Sequence, residues 1–120
     1  MTPEAEFRAL LAAYAPLTAL VQGRIVQNLV DEGMAGDYVV FSATHDPLKG
    51  LGGEVLEDEV SFSVESWAAT AVRANAIADA VAGAVALAPI TRQAAVTSRA
   101  TGGDGDLGLD AVVMTVAWWA

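Results

Sequence analysis

The chain of 120 residues has no cysteine, one histidine, and six basic residues against fifteen acidic ones. Without cysteine there is neither a disulfide framework nor a thiolate metal site, and the redox compartment is left open. A formal net charge of -9 repels phosphate backbones and argues against sequence-independent binding of nucleic acid, which needs a basic surface. Long apolar runs are also lacking. "AIADAVAGAVALAPI" is interrupted by Asp79 and "AVVMTVAWW" is too short to cross a bilayer, so a soluble protein is expected. The opening "MTPEAEFRALLAAYAPL" carries acid where a signal peptide has a basic region, and it lacks a continuous apolar core with a cleavage site. Synthesis in the cytoplasm without processing is the expectation.

What the chain does have is apolar side chains, 54% of the total, enough for one core over residues 1–120 as one domain. Thr2, Pro3, Glu4 and Glu6 form a helix start: a capping hydroxyl, a proline tolerated at the first position, and carboxylates at the positive end of the dipole. Phe7, Leu10, Leu11 and Tyr14 share a face. Pro16 disfavours helical geometry at Ala15, so a separate short turn is expected to carry Leu17, Leu20 and Val21 up to Gly23. "RIVQNLV" and "DYVVFSAT" predict strands joined by "DEGMAG". "HDPLKGLGGEVLEDE" then predicts a long Gly-rich, acidic loop.

Alternation in "VSFSVESW" puts Val60, Phe62 and Val64 on a buried face and Ser61, Ser63 and Glu65 on a wetter one. Thr70 is positioned to cap a helix whose Val72, Ile77, Val81, Ala84 and Val85 line one side, ending at Pro89. "ITRQAAVTSRAT" and "AVVMTVAWW" predict a closing pair of strands across "GGDGDLGLD". The expected fold is α+β: an antiparallel sheet of about four to five strands with two helices packed on one face.

Candidate chemistry is sparse. His45 beside Asp46 lacks a nucleophile elbow and the further ligands a zinc site needs. "GLGG" lacks the spacing of a phosphate-binding loop. "DGDLGLD" fails as a calcium loop because Gly108 stands where an oxygen ligand belongs, Leu109 replaces the turn glycine and Thr115 replaces the bidentate glutamate. The acidic groups, Asp31, Glu32 and Asp37, then Glu54 and Glu57 to Glu59, then Asp104, Asp106 and Asp110, fall in connections and predict solvated loops. No catalytic, cofactor or metal residue is assigned, and an enzyme is the least favoured reading. The terminal strand is unusual, because both its sides are largely apolar and it ends on Trp118 and Trp119. A sheet curled on itself, a wet terminal indole and a subunit interface all account for that.

Three stretches carry a family resemblance: "ALLAAYAPLTALVQGRI", "DYVVF", and "VSFSVESWAATAVRANAIADAVAGAV", within residues 8–87. With Gly23, Arg24 and Trp67 as anchors, they resemble the tail-completion, or tail terminator, proteins of long-tailed phages, prophages and gene transfer agents. Family members often have proline before the second-strand aromatic, where this chain has Asp37. The resemblance implies an α+β subunit of a hexameric ring at the head-proximal end of the tail tube. Such a ring stops tube polymerisation and joins the head, with other copies, the tail tube protein and a head–tail connector or stopper as partners. DNA would pass through without specific binding.

On that reading, contacts with neighbours or tube are expected at His45, Lys49, Leu51, Glu54 and Glu57 and on the strand of Met114, Trp118 and Trp119. Asp58, Glu59, Arg73, Arg92 and Arg99 are the candidate lumen or partner charges, with Arg24 also among the scarce cations. The alternative is a small dimeric α+β binding or regulatory module.

Overall fold

A computed structural model describes residues 2–28, 37–49, 55–88, 94–104 and 108–119, with the backbone alone at 46–49, 55–59, 104 and 119. The chain starts with α1 (Pro3–Ala13), whose Ala5 amide donates to the Thr2 hydroxyl at 3.1 Å. Tyr14 then adopts an extended conformation (φ -87°, ψ 103°), and α2 (Ala15–Val21) follows with Pro16 in its first turn. The expected turn is thus a second helix, and the break falls at Tyr14 rather than Ala15. Proline's missing N–H costs nothing in the first turn of a helix, where amides have no intrahelical partner. The Tyr14 ring lies over α3 (Ala71–Ala86) at Gly83, where a Cβ would stand 2.6 Å from the tyrosine hydroxyl. Glycine there leaves the aromatic ring its place.

Two successive left-handed residues, Gln22 (φ 53°) and Gly23 (φ 80°), turn the chain out of α2 into β1 (Ile25–Gln27). β1 stops after three residues because Asn28 is also left-handed (φ 67°), a conformation that asparagine tolerates better than most residues. β2 (Tyr38–Lys49) and β3 (Val55–Ala68) follow, then α3, β4 (Ala95–Asp104) and β5 (Leu109–Trp119). The sheet order is β1-β2-β3-β5-β4. The antiparallel expectation holds for every pair but one: β1 runs parallel to β2.

Among the described residues three helices, where two were expected, cover one face. Their core cluster takes Phe7 and Leu11 from α1, Leu17 and Val21 from α2, and Ala74, Ile77, Ala78, Val81, Ala84 and Val85 from α3. The sheet supplies Val39, Phe41, Val60, Phe62, Val64, Val112, Met114, Val116 and Trp118. Val72 does not belong to the apolar stripe of α3: it is 80% exposed. The buried set repeats at three and four residues from Ala74, and Val72 falls outside that arc. Thr70 does cap α3, accepting from the Arg73 amide at 3.2 Å. The helix ends at Ala86, and Pro89 lies outside the described residues.

At the centre Phe7 stacks on Phe62 with ring centroids 4.1 Å apart, and meets Phe41 and Trp118 edge-on at 5.3 and 5.7 Å. Such pairs add about 0.5–1.5 kcal/mol each to the burial of their apolar surface. The radius of gyration, 15.0 Å, exceeds the roughly 14 Å of a compact chain this long, and the longest dimension is 51 Å.

Candidate assembly surfaces

One source of that elongation is the β2–β3 hairpin. The segment from His45 to Glu59, expected to be a loop, is mostly ladder: His45 pairs with Val60, Asp46 with Glu59, Pro47 with Asp58 and Leu48 with Glu57, with a shift of register before Lys49. β5 pairs with β3 only from Glu59 onward, so among the described residues the stretch from Val55 to Asp58 has β2 as its one strand neighbour and extends past the end of β5. Pro47 fits this arm because β1 flanks β2 only as far as Phe41. A strand margin without a neighbour on one side tolerates a missing amide donor. At the base of the arm His45 Nε2 lies 2.5 Å from the Glu4 carboxylate on α1, so this histidine is tied to the helical layer.

At the opposite end of β2, Asp37 is only 4% exposed. It is not the solvated loop acid that its sequence context predicts. The Arg73 guanidinium holds its carboxylate at 2.7 Å, and Arg24 Nε donates to its backbone carbonyl at 2.7 Å. Next to it Tyr38 and Trp67, register partners on β2 and β3, stack at 6.3 Å with ring planes 16° apart. This pair lies on the sheet face away from the helices, and Tyr38 and Val40 are buried there outside the main core cluster. The ion pair and the stacked rings tie the start of β2 to the end of β3 and the first turn of α3.

Arg99 fastens the other margin of the sheet. From β4 it donates to the Asp79 carboxylate at 2.7 Å, and to the Asn75 side chain and carbonyl at 2.8 and 3.3 Å, all on α3. Arg24, Arg73 and Arg99, three of the six basic residues, therefore make hydrogen bonds within the chain. As contacts to a neighbour they would be second partners.

The remaining expected contact residues separate by burial. Met114 and Trp118 are 0% and 1% exposed, inside the chain's own core, so they offer no surface to a partner. This corrects their assignment to an interface: strand alternation turns Val112, Met114, Val116 and Trp118 toward the helices, where they belong to the buried core cluster. Val113, Thr115 and Ala117 alternate with them and are half-buried on the opposite face, while Trp119 is described by its backbone alone, at the end of β5. Lys49, Glu57, Asp58 and Glu59 lie on the arm by backbone position. Leu51, Glu54 and Arg92 fall outside the described residues. Among the described residues no group of three His, Asp or Glu gathers as for a metal ion.

Comparison with known proteins agrees with this architecture. A chain in the solved virion of a native gene transfer agent particle has the same fold, with a TM-score of 0.77 at 16% sequence identity, over 98% of this chain and 92% of that one. No curated protein matches the sequence significantly. The sequence profile of the family described as tail completion protein gp17 matches residues 5–120. With nearly its whole length matched, the chain belongs to the tail completion protein gp17 family.

Proposed function

We propose that this chain is the repeating subunit of a ring, hexameric by family analogy, that caps the head-proximal end of a phage-type tail tube, arrests tube growth and presents a docking surface to the head connector or stopper. The observation that carries this reading is the family match over residues 5–120, which makes the protein a structural component of the virion tail. The fold shared with a chain of a gene transfer agent particle supports the same setting. Its partners on this reading are further copies of itself, the tail tube protein and the connector.

The geometry is consistent with such a role. An arm that projects beyond the sheet gives the reach that contact with a neighbour or tube requires, and His45, Lys49, Leu51, Glu54 and Glu57 are its candidate contacts, joined by Trp119 at the end of β5. With fifteen acidic residues against six basic ones, a chain of charge -9 is strongly acidic. A channel bearing Asp58 and Glu59 would let DNA slide without holding its phosphates.

Deleting the gene from a producing strain tests the role. Overlong tubes and heads without tails are the expected phenotype, restored by the full chain in trans. Tubes of normal length joined to heads in its absence overturn the proposal, and a stable dimer indifferent to tubes would favour the binding-module reading instead.

A further inference from the structure

The sheet ends in two margins that differ in kind. β4 is exposed at every residue from Ala95 to Gly103, and within Ala95–Asp104 it has neither lysine nor proline to discourage pairing. Edge strands of that length are usually blunted by such residues, because a row of unpaired N–H and C=O groups templates further strands. A bulge at Thr97 and the Arg99 tether to α3 hold β4 in place. At the other margin β1 flanks β2 only to Phe41, and the described residues put no second strand beside Ser42 and Thr44, which are exposed.

From these margins we infer that the outer edge of β4 receives the β2 edge of the next copy of this chain, so that the sheet continues from subunit to subunit. The inference rests on the ring reading and names its interface. Strand direction supports it. β2 and β5 run one way and β3 and β4 the other. Copies related by rotation about an axis along the strands keep those directions, so β4 meets the next β2 antiparallel, the more stable ladder. Because the two margins are different surfaces, the contact is heterologous, the kind that closes into rings. Charge presents no obstacle: residues 46–59 carry five acids and one lysine, whereas β4 has no carboxylate before Asp104. Ser42, Ser63, Thr115 and Ser98 stand in one row across the sheet by register. An unstaggered junction therefore sets Ser42 of one copy opposite Ser98 of its neighbour, and the shear of a closed sheet displaces that pairing by a few residues.

The absence of native cysteine makes the test clean. Full-length variants with one cysteine each, Ser42→Cys or Thr44→Cys on one side and Ser98→Cys or Ala100→Cys on the other, are mixed pairwise and oxidised. Opposed residues of an antiparallel pair lie about 4.5–5.5 Å apart at Cα, within disulfide reach. The expected result is a mixed dimer from at least one β2–β4 combination, at least tenfold above either variant alone, together with rings by electron microscopy. Rings without any mixed cross-link, or cross-linking of the Ser98→Cys variant with itself, overturn the edge assignment and leave the ring standing. A chain that stays monomeric at high concentration and forms no ring on assembled tail tubes overturns both.

Discussion

The Arg73 guanidinium, on the first turn of α3, meets the Asp37 carboxylate at 2.7 Å, with the arginine side chain 59% exposed and the carboxylate 5%. The asymmetry sets the order of two substitutions. Arg73→Ala leaves a carboxylate buried without its counter-charge, whereas Asp37→Asn leaves an arginine that water can solvate. Removing one partner of a fully buried pair costs about 3–5 kcal/mol, and exposure of the arginine lowers that here to about 2 kcal/mol for Arg73→Ala and about 1 for Asp37→Asn. Urea unfolding of the two variants checks the order, and the reverse ranking means that Asp37 is solvated.

Ser66 lies on the core face of β3, fully buried between register partners Val39 and Val112, and its hydroxyl has no hydrogen-bond partner among the described residues. Burying such a group costs about 1–3 kcal/mol. Ser66→Ala is therefore expected to stabilise the protein by about 1 kcal/mol, raising Tm by roughly 3–5 °C. A lower Tm would reveal a partner for the hydroxyl.

Trp118 packs edge-on against both Phe7 and Phe62 at 5.7 and 5.9 Å, and its buried indole N–H has no acceptor among the described residues. Trp118→Ala opens a cavity and is expected to cost about 3–5 kcal/mol. Trp118→Phe retains much of the packing while removing the orphaned donor, so its cost should stay under about 2 kcal/mol. Thermal unfolding of both variants decides it, and near-equal losses would mean that the indole is not packed as described.

Much of this was legible in the sequence because it is periodic. The α1 cap at Thr2, the alternation of Val60, Phe62 and Val64, and the Thr70 cap of α3 each follow from local rules, and the structure has all three. The arm was hidden because Gly, Pro and acidic residues read as loop, while pairing of His45–Leu48 with Glu57–Val60 is a non-local property of the register. Asp37 was hidden for the same reason: its partner is Arg73, thirty-six positions away along the chain. The two terminal tryptophans posed a question of coverage. α1 answers it for Trp118 by laying Phe7 across the sheet, a contact between the two ends of the chain that no local pattern encodes.

Val72, in the first turn of α3, is 80% exposed and lies outside the core cluster. Val72→Glu places a carboxylate at the positive end of the helix dipole, where acid contributes about 0.3–1 kcal/mol at low ionic strength. A small gain in stability that fades with added salt is expected. A loss of more than about 1 kcal/mol would show that the valine is covered after all.

Arg99→Ala tests how β4 is held. Arg99 and Asp79 are 36% and 71% exposed at their side chains, so solvent screens the pair and global stability should fall by no more than about 1 kcal/mol. The local effect is expected to be larger, because Arg99 alone carries three of the hydrogen bonds from β4 to α3. Hydrogen exchange should quicken along β4 while the amides of β3 keep their protection, since local opening follows local contacts. If β4 is also the joining edge, the same variant assembles into rings poorly although its monomer remains folded. Arg99→Lys, which keeps the charge but loses the forked geometry, should recover stability more than it recovers assembly. Unchanged exchange in β4 would show that its ladder with β5, and not the arginine, holds the edge.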